Sequence, residues 1–264
     1  MRKPPVLPEI LTEENEAEEN KAKALDRVQN YYFCTVERQP KDPNRQKVLT
    51  IPHFSGSRFD SFGRQAGDED IITSADLQAL SLLSVSVNGT ATLAIGLLHD
   101  QIEALLRRLP RDVDLHALPE PCGGVPTGTV DCFSCFEDVG QQLWDLLRAN
   151  VYTSRWSMGE TRVSKLMARK RPRLVPIWDK KIGAALDLSS SKGHWRTMYS
   201  LFQEHGNLAC RLETIRKAAG LATSDNHEFG EISLLRIFDV AVWHAQKFPQ
   251  WNFTVDQPPS KDSR

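Results

Sequence analysis

The segment from Glu231 to Lys247 constrains the fold more than any other part of the sequence. A surface helix of a globular protein carries an apolar stripe along one side, whereas this segment predicts a helix that is apolar on nearly every side. Such a helix has to be surrounded by other elements, so we expect it to be central. Its apolar positions are Leu234, Leu235, Ile237, Phe238, Val240, Ala241, Val242 and Trp243.

Apolar spacing and capping residues predict further helices around this one. They are expected at 13–33, 74–85, 93–109, at about 137–151 and 160–170, and at about 179–187, 193–204 and 207–219. Thr73 or Ser74 is the expected cap of the second of these. Asn88-Gly89 predicts a turn, and KVLTI (47–51) predicts a strand within a loop rich in Pro and Gly. The sequence therefore predicts a mainly α fold.

Proline and glycine divide the chain into expected units. Residues 1–12 are Pro-rich and predicted to be disordered, and residues 251–264 form a polar tail. The segment 111–135 contains several prolines and a glycine pair, which predicts a linker or long loop. We expect a two-lobed helical bundle, with lobes at 13–110 and 136–250 and a cleft between them.

Charge and composition limit the classes of function. The 264 residues include 33 basic and 34 acidic side chains, so any positive surface for nucleic acid has to be local. No apolar run approaches the roughly 18 residues of a membrane span, and prolines interrupt the expected signal-peptide region. Five scattered cysteines predict reduced thiols. We expect a cytoplasmic protein.

Cys132 and Cys135 have the two-residue spacing of a zinc or dithiol site. Zinc needs two further ligands, and the near ones are Cys122 and His116. Because no second pair has matching spacing, we expect neither a metal nor another cofactor. The glycine and histidine motifs of common nucleotide-binding enzymes and hydrolases are also absent from the sequence.

The stretch SMGETRVSKLMARKRPRLVPIWDKKIGAAL, residues 157–186, carries the most functional information. Gly159 predicts a tight turn in which glycine takes a positive φ, and the helix that follows offers N–H groups to a phosphate. An apolar, proline-containing linker leads to Asp179 at the start of the next helix. Taken alone, the aspartate reads as an ordinary N-cap and the basic residues as a solvated helix face.

Taken together, these residues resemble the helix-hairpin-helix core of the DNA glycosylase superfamily that includes endonuclease III. Gly159 matches the second hairpin glycine, and Asp179, twenty residues later, matches the catalytic aspartate. The chain departs from the family at Ser157, which replaces the first hairpin glycine. It departs again at Thr161, or Arg162 in a shifted register, which replaces the Schiff-base lysine of bifunctional members. The family's iron–sulfur cysteines are absent.

SKLMARKRPRLVPIWD and ISLLRIFDVAVWHA also resemble segments of an uncharacterised, mainly actinobacterial protein family. This second resemblance extends over much of the chain. It brings no established activity, so it supports the fold more than the function.

The glycosylase resemblance implies an enzyme that flips a damaged or modified base, including a modified phage base, out of DNA and excises it. Such an enzyme serves DNA repair or antiviral defence. Asp179 would be catalytic and, without a Schiff-base lysine, the enzyme would be monofunctional. Lys165 lies one turn beyond the Schiff-base position and is expected to point elsewhere. The expected DNA-binding residues are Gly159, Thr161, Arg162, Lys165 and Arg169.

The base pocket is expected to contain aromatic and polar groups. Its candidates are Trp178, Tyr152, Arg58 and Asp60, with Trp156 and Trp243 as further aromatic candidates. Arg58 and Asp60 also fit a structural turn held by an Arg–Asp pair. Two other functions remain open on the sequence: a non-catalytic DNA-binding protein, and a helical interaction protein of the toxin–antitoxin type.

Overall fold

Helices make up most of the structure, a computed structural model that describes residues 5–12, 17–42, 44, 47–120, 128–150, 152–222, 228–230 and 232–251. The helices within these ranges are α1 (Ala17–Phe33), α2 (Ser74–Leu82), α3 (Gly89–Leu97), α4 (His99–Arg108), α5 (Phe133–Leu147), α6 (Glu160–Lys170), α7 (Lys180–Ala185), α8 (His194–Glu204), α9 (Leu208–Ala218) and α10 (Leu234–Lys247). Strands β1 (Thr35–Arg38) and β2 (Leu49–Pro52) pair antiparallel. The predicted mainly α fold is confirmed.

Helix α10 is the buried central helix that its composition predicts. Every residue from Leu234 to Val242 is buried, and the helix packs against α1, α7 and α9. Ser233 caps it by accepting the Arg236 N–H at 3.2 Å. The same hydroxyl donates to the Pro172 carbonyl at 2.6 Å, which joins α10 to the segment that follows α6.

Two expected boundaries in the first half of the chain differ in outcome. Thr73 is the N-cap of α2, one of the two predicted candidates, and it forms a capping box with Asp76. The helix predicted over 93–109 is wrong, because the chain breaks at Leu98 and forms α3 and α4. The predicted turn at Asn88 is also wrong. The Asn88 side chain accepts the Ala91 N–H at 2.8 Å and so begins a helix, since asparagine caps helices as well as it forms turns.

Parts of both segments that were predicted to be irregular lie against the core. Leu7 and Leu11 are buried, so residues 5–12 are packed rather than disordered; residues 1–4 lie outside the described residues. In the 111–135 segment, Leu115, Leu118 and Val130 are buried in the same continuous cluster as the helices. The division into two lobes remains a prediction. Within the described ranges, no helix is both long and apolar enough to cross a membrane.

Candidate nucleotide-sized cavity around Asp179

A cavity of about 480 Å³ lies between α1, α6, α10 and the loops beside them. Its volume falls within the range of roughly 300–1,000 Å³ that is usual for small-molecule sites. Aromatic rings form much of its wall: Tyr31, His53, Phe54, Trp243 and Phe248. Its charged groups are Lys165, Asp179, Arg236, Asp239 and Lys247.

Asp179 enters the cavity from the start of α7. Its Oδ1 accepts the N–H groups of Lys181 at 2.9 Å and Ile182 at 3.0 Å, which is ordinary N-cap geometry. No residue in the described part of the chain donates a hydrogen bond to Oδ2. The cap therefore uses one carboxylate oxygen, and the other is available to a molecule in the cavity.

The extended linker before Asp179 is fixed to α6 by a buried serine. Ser164 Oγ accepts the Trp178 N–H at 2.5 Å and donates to the Pro176 carbonyl at 3.3 Å. Proline cannot donate a backbone hydrogen bond, and the residue before it avoids the helical region, so this linker stays extended. The position of Asp179 thus follows from the sequence pattern that predicted it.

Lys165 lies in the same cavity as Asp179, which corrects the expectation that it points elsewhere. It is buried, so it does not lie on a DNA-binding surface as expected. Its Nζ donates to the Leu83 carbonyl at 2.9 Å. Burial lowers the pKa of Lys165, and the negative charges of Asp179 and Asp239 oppose that shift. Placement one turn beyond Thr161 directs this side chain toward α10.

Two further charged residues of the cavity come from the apolar helix α10 and were missed by sequence reasoning. Arg236 is ion-paired with Asp239 and with Asp60, whose Oδ2 lies 3.0 Å from Arg236 Nε. It also donates to the Gly56 carbonyl at 2.9 Å and the Tyr31 hydroxyl at 3.1 Å. The sequence did contain a signal for them: Arg236 and Asp239 stand three positions apart in an otherwise apolar helix. Buried charges are normally paired, so this spacing indicates a buried ion pair.

Asp239 holds its proton unusually well for an aspartate. Burial raises its pKa, and the nearby negative charge of Asp179 raises it further against the opposing effect of Arg236, to about 6. A carboxyl group with this pKa is partly protonated near neutral pH. The cavity therefore contains two carboxyl groups in unlike environments: Asp239, buried and bonded to Arg236, and Asp179 at the start of α7.

The hairpin before α6 differs in detail from its prediction. Gly159 has φ −74° rather than a positive value, and it precedes the first residue of α6. Ser157 instead takes φ +66°, the left-handed conformation that favours glycine. Ser157 stands where the resembled family has its first hairpin glycine. Thr161 lies in the first turn of α6, outside the lining of the cavity.

The expected phosphate contact by Arg169 is contradicted by its burial. Arg169 is 1% exposed, its Nε lies 2.7 Å from Asp76 Oδ1, and its other nitrogens donate to the carbonyls of Phe59 and Phe62. Lys170 pairs with the same aspartate at 2.8 Å. The end of α6 packs against α2 and the loop after residue 58, so these cations neutralise a buried carboxylate instead of facing solvent.

Arg162 stays at the surface near the hairpin. Its Nε donates to the Ser86 carbonyl at 2.6 Å, and one terminal nitrogen donates to the Ser157 carbonyl at 3.0 Å. These bonds fix the hairpin to the turn between α2 and α3. Of the three basic residues predicted to contact DNA, Arg162 alone has a partly exposed side chain.

The four predicted base-pocket residues do not line the cavity around Asp179. Trp178 is buried against the His194 ring, with ring centroids 5.2 Å apart, on the other side of α7. Tyr152 is 46% exposed beside Trp156. Trp243, the further candidate on α10, does line the cavity.

Arg58 and Asp60 are structural residues with separate partners. Arg58 pairs with Glu228 and lies over the Phe229 ring, 4.4 Å from its centroid. Asp60 is 1% exposed and contacts Arg236 from below the cavity. The expected Arg–Asp pair within this loop is wrong, since both partners lie far away in the sequence. Asp60 reaches the site only by positioning Arg236.

The cysteine pair begins a helix. The Cys132 sulfur accepts the Cys135 N–H at 3.3 Å and caps α5, which starts earlier than predicted. Together with Asp131, these cysteines place three ligand atoms of metal-binding type within 4.8 Å of one another. Cys122 lies outside the described residues. The absence of a metal remains a prediction.

A protein-family model matches most of the chain, including the residues of this site. The model of a family described as "Family of unknown function (DUF6308)" matches residues 24–246. The chain belongs to the DUF6308 family. The matched DUF6308 region contains α6, the extended linker, Asp179 and Asp239. No curated protein and no solved structure matches the chain.

Proposed function

We propose that this protein is a DNA glycosylase that hydrolyses the N-glycosidic bond of a damaged or modified base. The observation that carries the proposal is Asp179, whose second carboxylate oxygen is available within an aromatic-lined cavity that also holds Asp239. The resemblance of residues 157–186 to the glycosylase core led independently to the same aspartate. The expected catalytic residue and the cavity therefore support each other.

The chemistry requires charge stabilisation at the sugar and a proton at the base. As the bond between C1′ and the base nitrogen breaks, positive charge develops on the sugar, and an adjacent carboxylate stabilises it. Asp179 would have this role and would accept a proton from the attacking water. The water oxygen then bonds to C1′, and the departing base takes a proton. Asp239, with a pKa of about 6, is the proposed donor of that proton.

The walls of the cavity suit an extruded nucleotide. Every base has aromatic faces that stack on aromatic side chains, and enzymes that act on a base bind it outside the duplex. Tyr31, Phe54 and Trp243 offer such surfaces. Arg236 supports this wall, because it donates to both the Tyr31 hydroxyl and the Gly56 carbonyl. The proposed base pocket thus contains residues other than the four first predicted.

We propose monofunctional hydrolysis, in which water rather than an amine attacks the sugar. Two lysines line the cavity, the buried Lys165 and the exposed Lys247, and the presence of Lys165 near Asp179 requires this proposal to be tested directly. The Lys165 Nζ is engaged as a donor to the Leu83 carbonyl. Burial lowers its pKa, and the negative charges of Asp179 and Asp239 oppose that shift, so we propose that the amine stays protonated. A protonated amine is not a nucleophile. Lys165 would then balance the negative charge of the carboxyl pair.

We propose DNA as the partner and the cytoplasm as the location. The test is a base-release assay on duplexes that each carry one modified base. Release of a base with an intact, alkali-labile strand as product supports the proposal. Salt-dependent DNA binding without an abasic product would favour a DNA-binding protein. Absence of both binding and release across the panel would favour a protein-interaction role and contradict the proposal.

A further inference from the structure

A second cavity of about 430 Å³ lies between α5, the start of α6 and the start of α8. It does not share any lining residue with the cavity around Asp179. Three tryptophans form its apolar walls: Trp144, Trp178 and Trp195. The mechanism proposed above uses none of them.

Two glycines allow the tryptophans to take these positions. A Cβ atom on Gly140 would lie 2.9 Å from Trp195 Cζ3, and a Cβ on Gly183 would lie 2.5 Å from Trp178 Cη2. Both distances are shorter than real contacts, so each indole occupies space that only glycine leaves open. The rings of Trp144 and Trp195 meet at 88° with centroids 5.9 Å apart. The aromatic walls are therefore held by close packing.

Buried polar atoms of this cavity have no partner within the described structure. His194 is 2% exposed, and its Nε2 makes no hydrogen bond there. Arg148 has a side chain 17% exposed, and its Nε also makes no hydrogen bond there, although its Nη1 pairs with Glu160. Buried polar atoms are rarely left in this state, because an unmade hydrogen bond is costly. Burial lowers the pKa of His194 to about 3, so its neutral imidazole offers one donor and one acceptor. A ligand with ring nitrogens matches this need.

The charges of the cavity argue against a cationic ligand. Glu160 is already paired with Arg148 at 3.2 Å and accepts the Ser191 N–H at 3.2 Å. Glu137 is paired with Arg196. Because both carboxylates are neutralised by arginines, the tryptophans do not form a site with net negative charge. A neutral, planar ring fits the aromatic walls and the free polar atoms better.

We propose that this second cavity binds a planar nitrogen heterocycle of the nucleobase class, stacked on Trp195 or Trp178 and hydrogen-bonded to His194 and Arg148. The ligand could be supplied as a free nucleoside or as an unstacked base of a single strand, which share this chemistry. The proposal does not rest on the glycosylase function, because it needs no bond cleavage and no residue of the Asp179 cavity.

The test is calorimetric titration of the full chain with the four 2′-deoxynucleosides and, separately, with a short single-stranded oligonucleotide. We expect saturable binding in at least one arm, and the arm identifies the source of the base. Trp195→Leu should weaken that binding by about tenfold or more, because base–aromatic stacking supplies much of the affinity. Arg148→Met is a second variant that removes the donor while keeping the length of the side chain.

Phe62→Leu is the matched control, since Phe62 is an aromatic residue, 40% exposed, that lines neither cavity. It should leave the affinity unchanged. Circular dichroism of each variant establishes that it is folded. The proposal is overturned if neither nucleosides nor the oligonucleotide bind. It is also overturned if folded Trp195→Leu and Arg148→Met bind the same probe as tightly as the wild-type protein, which would place the bound base outside the second cavity.

Discussion

Asp179 and Asp239 line one cavity from two helices, and the negative charge of Asp179 contributes to the raised pKa of Asp239. Asp179 lies at the start of α7, whereas Asp239 lies within the buried helix α10. When two neighbouring carboxyl groups lie in different environments, their pKa values differ. One can then act as an acid while the other is ionised.

The pH dependence of base release tests the role of Asp239. Its carboxyl group is protonated mainly below its pKa of about 6, so a reaction that needs this proton slows as the pH rises above that value. We expect the rate to fall about tenfold per pH unit on this alkaline side. Asp239→Asn should lower the rate and remove the alkaline decline. The measurement is the single-turnover rate between pH 5 and pH 9 for both proteins. A pH profile that is the same in the Asp239→Asn and wild-type proteins would exclude Asp239 as the acid.

Borohydride trapping tests monofunctional hydrolysis. If Lys165 stays a bound ammonium, no covalent enzyme–DNA adduct forms, and the strand is cut only after alkali. Lys165→Met should weaken base release through loss of charge balance without changing the type of product. An adduct that the wild-type protein forms and the Lys165→Met protein does not would assign Lys165 as a Schiff-base nucleophile and refute the monofunctional mechanism.

The salt dependence of DNA binding tests Arg162. Removing one phosphate contact should lower the slope of log affinity against log salt by about one unit and weaken all sequences alike. We expect this for Arg162→Ala. Arg107→Ala removes the same charge from an exposed position on α4 and should leave the slope unchanged. Equal slopes for the wild-type and Arg162→Ala proteins would remove Arg162 from the DNA interface.

The buried cluster of Asp76, Arg169 and Lys170 should be a large contributor to stability. Asp76→Asn leaves two buried cations without their counterion, which costs about 3–5 kcal/mol of unfolding free energy. Hydrogen bonds and charge from Lys170 and Arg169 lower the pKa of Asp76 despite its burial. Its stabilising effect is therefore present above pH 3.8 and lost as the pH falls through the lower folded-state pKa.

Urea denaturation at pH 7 measures this effect. Arg107→Gln is the control, because its pair with Glu103 is exposed and such pairs contribute less than about 1 kcal/mol. A loss for Asp76→Asn no larger than that of the control would show that the cluster is energetically neutral.

Local rules predicted the part of the site that local sequence determines. The bounds of α6, the extended linker and the capping role of Asp179 follow from proline, glycine and N-cap preferences over a few residues. The same rules predicted a helix start at Thr73 or Ser74, and Thr73 is the cap. They failed at Leu98, where the apolar pattern continues through a break between two helices that pattern alone does not reveal.

Long-range partners decided the rest, and a single sequence does not specify them. Arg169 reads as a solvated cation until Asp76, 93 residues away, is placed beside it. Asp60 and Arg236 are separated by 176 residues. The expectation for Lys165 is wrong for a related reason. Residues one helical turn apart point in similar directions, but the sequence does not show which element packs against that face of α6. For the same reason the sequence does not show that Trp178 lines the second cavity and that Tyr152 lines neither cavity.

The most direct measurement is base release by Asp179→Asn beside the wild-type protein, on a duplex that the wild-type protein processes. Asparagine keeps the N-cap and the size of the side chain but loses the charge, so the fold and DNA binding should persist. Asp187→Asn is the control: it removes one charge from an exposed residue at φ +54°, a conformation that asparagine tolerates. We predict a loss of at least about 10²- to 10³-fold in the single-turnover rate for Asp179→Asn and none for Asp187→Asn. Full activity in Asp179→Asn would contradict the catalytic role of Asp179 and with it the proposed glycosylase function.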